Sequence, residues 1–240
     1  IDIAAEFTEE ITLLAAHVIP EDFLTDPDGY VDLIINSIIP KSNSKWIDVF
    51  CDLGAFNPEQ SEAILRAGIA QGMSARIHAN QLSAGKGVEI AVSLGAASAD
   101  HVSKSTKADL ELLASSTTVA TLLPGAEFST HAEENLGRRF LDAGVRVAIA
   151  SDCNPGSSYT NNMQFIIALA VRECFFTPEQ ALWSATAGGA KALRRSDVGV
   201  LKVGANADLL LLNSPSYIHL AYRPGVNQIE QVWRNGERIK

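Results

Sequence analysis

The chain has 240 residues, 47% hydrophobic and 20% charged, enough for one large folded domain or a domain with a small appendage. A formal net charge of −9 with no Lys/Arg-rich run excludes the footprint of a nucleic-acid or anionic-membrane binder, because phosphate would be repelled rather than neutralised. No apolar run reaches membrane-spanning length, and three cysteines without CxxC spacing argue against a disulfide framework, so a reducing cytoplasm and a small-molecule partner are expected.

The N-terminus, Ile1-Asp-Ile-Ala-Ala-Glu-Phe7, lacks a starting Met and the charged and apolar regions of a signal peptide, so the chain is expected to be part of a longer protein. From there, short β-branched or apolar runs alternate with longer amphipathic segments, the pattern of a parallel sheet with crossover helices. The candidate strands are Ile11 to Ile19, Trp46 to Cys51, Ala75 to Ala79, Ala96 to Val102, Thr118 to Leu123 and Val145 to Ala150. Between them lie candidate helices at Tyr30 to Ile39, Pro58 to Gln71, Gly87 to Leu94, Lys107 to Ala114 and Glu134 to Ala143. Asn57-Pro58-Glu59-Gln60 and Thr177-Pro178-Glu179-Gln180 each set a capping side chain, a first-turn Pro and a capping-box Gln in order.

The run Val145 to Ala150 leads to Asp152 and a polar loop, Cys153-Asn-Pro-Gly-Ser-Ser158. Two helical patterns follow without a strand between them, Asn162 to Arg172 and Pro178 to Leu193. From about Val198 the texture becomes Gly-punctuated short strands at 199–204, 207–212 and 228–236, the last carrying an Asn235-Gly236 hairpin signal. The reading is an α/β domain over residues 1–195 with a β segment over 196–240.

A (β/α)8 barrel takes about 250 residues, yet only six candidate strands precede the β segment. If Asp152 follows the last barrel strand, the first two strands are absent. The alternative is an open doubly wound sheet, against which stands the lack of a GxGxxG after a first strand.

His17, His78 and His101 fall at or near the C-terminal ends of candidate strands, where a barrel gathers its chemistry, so the three imidazoles and Asp152 are expected at one mouth. Taken singly, such a residue is more often a satisfied polar cap than a ligand. Four at one rim shift that weighting, and imidazole with carboxylate suits Zn²⁺ or Fe²⁺. Asp100 stands beside His101 and is the alternative functional group there, since adjacent strand residues face opposite sides. His131, read as near a helix start, and His219, read as part of the β segment, are given no catalytic role. The Asn154-to-Ser158 stretch is either a turn or a backbone nest for an anionic substrate group.

The segments His78-Ala-Asn-Gln-Leu-Ser83, Ser98-Ala-Asp-His101 and Ser151-Asp-Cys-Asn-Pro-Gly-Ser157, with the closing Gly204-Ala-Asn-Ala-Asp-Leu209, resemble the imidazolonepropionase family of the amidohydrolase superfamily. The resemblance runs from about His17 to the end. It implies a (β/α)8 barrel with a small β-sandwich, and hydrolysis of the cyclic amide of 4-imidazolone-5-propanoate to N-formimidoyl-L-glutamate in histidine degradation. It also implies one divalent ion held by His78 and Asp152, with Asp152 accepting a proton and His101 polarising the carbonyl. His17, Gln81, Asn154, Gly156 and Ser157 are then substrate contacts for a ligand with a carboxylate side chain, and a homodimer is left open.

Two departures stand out. The family's first strand supplies a His-x-His pair, and none occurs in these 240 residues. Many relatives carry an acidic residue shortly after the strand-five histidine, where this chain has Asn80 and Gln81. The rivals are another superfamily cyclic amidase or nucleobase deaminase, and a non-catalytic homologue that binds no metal.

Overall fold

The computed structural model describes residues 1–132 and 137–240. They form two compact units, Ile1–Ala120 and Thr121–Lys240. After a short helix α1 (Asp2–Ala5), the first unit holds strands β1 (Thr12–Ala16), β2 (Trp46–Cys51), β3 (Ser74–Ala75), β4 (Ile77–Ala79) and β5 (Ser98–His101). Every pairing among them is parallel: β1 with β2, β2 with β3 and β4, and β4 with β5. Parallel strands are covered on both faces, and Trp46, Ile47, Val49, Ile77, Ala79 and Ala99 are accordingly all buried.

The helices of this unit are α2 (Pro27–Leu33), α3 (Pro58–Ala70), α4 (Gly87–Ser93) and α5 (Lys107–Ser115). Helix α2 starts three residues before the expected Tyr30, because the Asp26 carboxylate accepts from the Gly29 N–H and Pro27 fills the first turn. It runs on through a π-helical turn at Ile34–Ile38. The Asn57 capping box is formed in both directions, Gln60 N–H to Asn57 Oδ1 at 2.8 Å and Asn57 N–H to Gln60 Oε1 at 3.1 Å. Gly68 lets α3 lie directly on β2, since a Cβ there would stand 2.6 Å from the Ile47 side chain.

Strand β6 (Val119–Leu122) crosses from one unit to the other; its Val119 N–H donates to Ala97 O in the first. In the second, Ala150 N–H, just past β7 (Val147–Ile149), donates to Leu122 O. The helices here are α6 (Pro124–Thr130), α7 (Gly137–Asp142), α8 (Met163–Arg172), α9 (Pro178–Trp183) and α10 (Gly189–Ala192), with a π-helical turn at Ser184–Gly188 joining the last two. Helix α6 was not among the expected helices; Pro124 occupies its first turn. Of the helix expected from Glu134, residues 133–136 lie outside the described residues, and α7 accounts for the rest. The Thr177 capping box is formed as expected.

The chain closes with β8 (Leu209–Leu212), a short helix α11 (His219–Tyr222), β9 (Ile229–Arg234) and β10 (Glu237–Arg238), the three strands making an antiparallel sheet in the order β10-β9-β8. Asn235 and Gly236 both have positive φ, +52° and +82°, as a tight type I′ hairpin requires. One expectation is corrected here. Residues 199–204 form no strand, because Gly199 (φ +75°) and Gly204 (φ +85°) bend the chain and leave Leu201 and Val203 in solvent. His219 opens α11 between the strands of the β segment, and His131 caps the end of α6, ahead of the helix expected from Glu134. No helix of the described residues is long and apolar enough to cross a membrane.

Candidate functional site

Register alone groups most of the first unit's candidate residues. Phe50 pairs with His78, and His78 with Asp100, so these side chains share one face of the sheet. Asp48, two residues before Phe50 in β2, faces the same way. His17, one residue past β1, stacks on Phe50 with ring centroids 5.4 Å apart, and meets His78 edge-on at 5.9 Å. The Asp48 carboxylate, only 3% exposed as a residue, lies 3.1 Å from His78 Nδ1. Asp48, His78 and Asp100 offer ligand atoms within 4.8 Å of one another.

His101 reaches this group by strain. It pairs with Ala79, so a regular strand would send it to the face opposite His78. Instead His101 (φ +68°) and Val102 (φ +53°) are consecutive left-handed residues, and a β-branched residue there is a genuine outlier. The turn re-aims the His101 ring to 5.4 Å from that of His78. Asp100 and His101 are therefore not alternatives: both lie beside His78. Asn80 (φ +50°) and Asp152 (φ +49°) are likewise left-handed just beyond a strand, so strained backbone concentrates at the carboxyl ends of the parallel strands.

Burial, with the nearby His78 and His17 adding to it, pushes the His101 pKa down from 6.5 to about 3, so the ring is neutral at ordinary pH. The sign is that of a depressed base. An unfolded chain binds a proton between pH 6.5 and about 3 while the folded chain does not, so stability falls on acidification through that window and is unaffected by this group above it. Thermal melts in chelator at pH 7.5 and 5 are expected to show the loss, and His101→Gln to diminish it.

Sequence reasoning missed Asp48, Asp52 and Phe50. The signal for Asp48 was present, since a charge inside the apolar run Trp46 to Cys51 is rare in a buried parallel strand. Asp52, just past β2, accepts from the N–H groups of Gln81 and Leu82 at 2.8 Å each and from the Ser83 hydroxyl at 2.6 Å. It thereby fixes the loop after β4 and, with it, the half-buried Gln81.

In the second unit, Asp152 is half-buried three residues past β7, at the head of the expected loop. Asn154 organises that loop. Its Oδ1 accepts from the Gly156 and Ser157 N–H groups at 2.8 Å each, and its Nδ2 donates to Asp152 O at 2.7 Å and Ser157 Oγ at 3.0 Å. Those two backbone donors are thus engaged within the turn, while the side chains of the stretch stand beside Asp152. The Ser157 hydroxyl stands 3.5 Å from Asp152 Oδ2.

The donors present fit a divalent ion. His101 is held as the neutral imidazole that ligates metals, and His78 has one nitrogen held by a carboxylate, the usual support for a metal-bound histidine. Imidazole and carboxylate donors of this kind suit Zn²⁺ and Fe²⁺ alike.

Comparison with known proteins agrees. Residues 54–239 match the model of the amidohydrolase family. The imidazolonepropionase of Mycolicibacterium smegmatis is 58% identical, over 100% of this chain and 61% of its own length, and that of Streptomyces avermitilis 56% identical over 99% and 58%. The chain thus spans about 60% of the length of the curated relatives it matches. Among solved structures, an adenosine deaminase from Xanthomonas campestris with bound zinc superposes with a TM-score of 0.69 at 19% identity, over 93% of this chain and 59% of that one. A mutant atrazine chlorohydrolase from Arthrobacter aurescens, complexed with zinc and atraton, does so at 0.65 and 19%, over 88% and 55%. At such identities the likeness carries the fold alone. With parallel strands alternating with helices, imidazoles gathered at strand ends and a family match over most of its length, the chain belongs to the amidohydrolase family.

Proposed function

We propose that the protein is an imidazolonepropionase, opening the cyclic amide of 4-imidazolone-5-propanoate to N-formimidoyl-L-glutamate in the cytoplasmic degradation of histidine. The observation that carries this reading is the 53–58% identity to proteins of that name along essentially the whole chain. The cluster of His17 and His101 about His78 supports it from the side of chemistry.

On this reading residues 1–195 are barrel and 196–240 β-sandwich segment, and His78 and Asp152 are ligands of one divalent ion, Zn²⁺ or Fe²⁺. When bound, the ion would make a water acidic enough to attack at neutral pH, bringing its pKa towards about 7. Asp152 accepts the water's proton and returns it to the ring nitrogen as the C–N bond breaks. His101, uncharged at that pH, offers an N–H to the carbonyl oxygen as negative charge develops there. Gln81, unable to act as a base, is a hydrogen-bonding substrate contact, which leaves proton transfer to Asp152. His17 and the turn of Asn154, Gly156 and Ser157 complete the substrate contacts.

A substrate panel on the complete gene product tests the assignment. Ring opening is expected for 4-imidazolone-5-propanoate, with a marked loss of kcat/KM for the same ring without its propionate. Preferential release of ammonia from aminated purines or pyrimidines overturns the assignment in favour of a deaminase.

A further inference from the structure

We propose that Asp48 is a positioning residue that fixes His78 as the Nδ1–H tautomer, so that Nε2 is the nitrogen presented to the divalent ion. The proposal rests on the reading of His78 as a metal ligand and names what that reading leaves open, namely which ring nitrogen ligates and what decides it.

Asp48 is the anomaly in its strand. Trp46, Ile47, Val49 and Cys51 are all buried, and Asp48 is buried among them at 3% exposure. A carboxylate in such a place is costly unless it is hydrogen-bonded. Its partner is His78 Nδ1, 3.1 Å from Oδ1, delivered from the adjacent parallel strand β4. An ionised carboxylate only accepts, so the proton of that hydrogen bond resides on Nδ1. A neutral imidazole has one N–H and one lone pair, and with Nδ1 committed the lone pair lies on Nε2.

The surroundings hold the ring in that orientation. Phe50 meets it at 5.9 Å and a 62° interplanar angle, His17 at 5.9 Å and 79°, and His101 at 5.4 Å and 44°. These contacts limit ring rotation, while Asp48 selects between the two nitrogens. The geometry fits a histidine whose second nitrogen is oriented by a carboxylate, an arrangement whose loss typically costs about 10–100-fold in metal affinity.

The rival use of the same atoms is a cation site made of Asp48, His78 and Asp100 themselves, whose ligand atoms lie within 4.8 Å of one another. The two uses separate experimentally. In the metal-free complete protein, nitrogen-15 spectra at pH 7.5 are expected to show His78 Nδ1 as protonated and Nε2 as bare. Added Zn²⁺ is expected to move the Nε2 resonance and leave Nδ1 protonated. Asp48→Leu, which removes the acceptor while relieving the core of a charge, is expected to mix the tautomers and weaken Zn²⁺ binding about 10–100-fold. Asp48→Asn keeps an oxygen that accepts from Nδ1–H, so it is expected to restore most of the affinity.

His78 protonated on Nε2 in the wild-type protein overturns the proposal, as does Asp48→Leu with unchanged tautomer and affinity. So does Zn²⁺ binding lost equally in Asp48→Leu and Asp48→Asn, which makes Asp48 a ligand. Zn²⁺ that leaves both His78 nitrogens unmoved overturns the ligand reading itself. That failure is distinct, because the wild-type tautomer is read before metal is added.

Discussion

Asp152→Asn is expected to lower kcat on 4-imidazolone-5-propanoate by about 10²–10⁴-fold, the usual worth of a positioned proton-transfer group. The substitution isolates charge and basicity from shape. Asn tolerates the left-handed backbone of this position, φ +49°, as well as Asp does, so the turn after β7 is preserved. It also keeps an oxygen within reach of the Ser157 hydroxyl, which stands 3.5 Å from Asp152 Oδ2. The Asn154 Nδ2 bond to residue 152 goes to its backbone carbonyl and is indifferent to the side chain. Because Asp152 is also a proposed ligand, the rate is to be read beside the bound-metal content: a metal-loaded but slow variant isolates proton transfer, whereas loss of metal reports ligation. A loaded variant within a few-fold of wild-type kcat contradicts the mechanism.

Trp46→Ala is expected to cost about 3–5 kcal/mol of folding stability, measured by denaturant unfolding. Trp46 opens β2, is fully buried, and pairs with Thr12 on one side and Ser74 on the other. Its indole N–H donates to Glu10 Oε2 at 2.8 Å, and the Arg76 guanidinium lies 4.2 Å above its ring. Removing the ring leaves a cavity and strips a cation–π platform from a guanidinium whose Nε and Nη2 are already buried without hydrogen-bond partners among the described residues. Trp46→Phe keeps most of the volume and the platform, and should lose little more than the hydrogen bond, about 1 kcal/mol. A cost below about 1 kcal/mol for Trp46→Ala contradicts this view of the core.

The parallel strands were legible because strands covered on both faces leave mainly apolar runs, as at Trp46 to Cys51, apolar but for Asp48, where the expected and observed limits coincide. Helices with capping boxes were legible for an equally local reason, the Asn57 and Thr177 side chains meeting Gln three residues later. The hairpin at Asn235-Gly236 belongs with them. What escaped was whatever depends on backbone that sequence does not display. Alternation puts His101 opposite His78, and only two successive left-handed residues bring the rings together. Residues 199–204 carry strand-forming side chains but are bent at both ends by glycines. The turn at Asn154 engages its own backbone donors, which the residue types alone leave undecided between turn and nest. Asp48 was visible as a charge in an apolar strand, but its meaning emerged only when register set it beside His78.

The central claim is metal-dependent opening of the imidazolone ring. Its most direct test is to strip the complete gene product with chelator, return Zn²⁺ or Fe²⁺ in increments, and follow conversion of 4-imidazolone-5-propanoate to N-formimidoyl-L-glutamate by mass spectrometry. The account predicts no conversion above background in the stripped protein and activity that rises linearly to a plateau at one ion per chain. Full activity in the stripped protein, or no conversion at any metal loading, contradicts it.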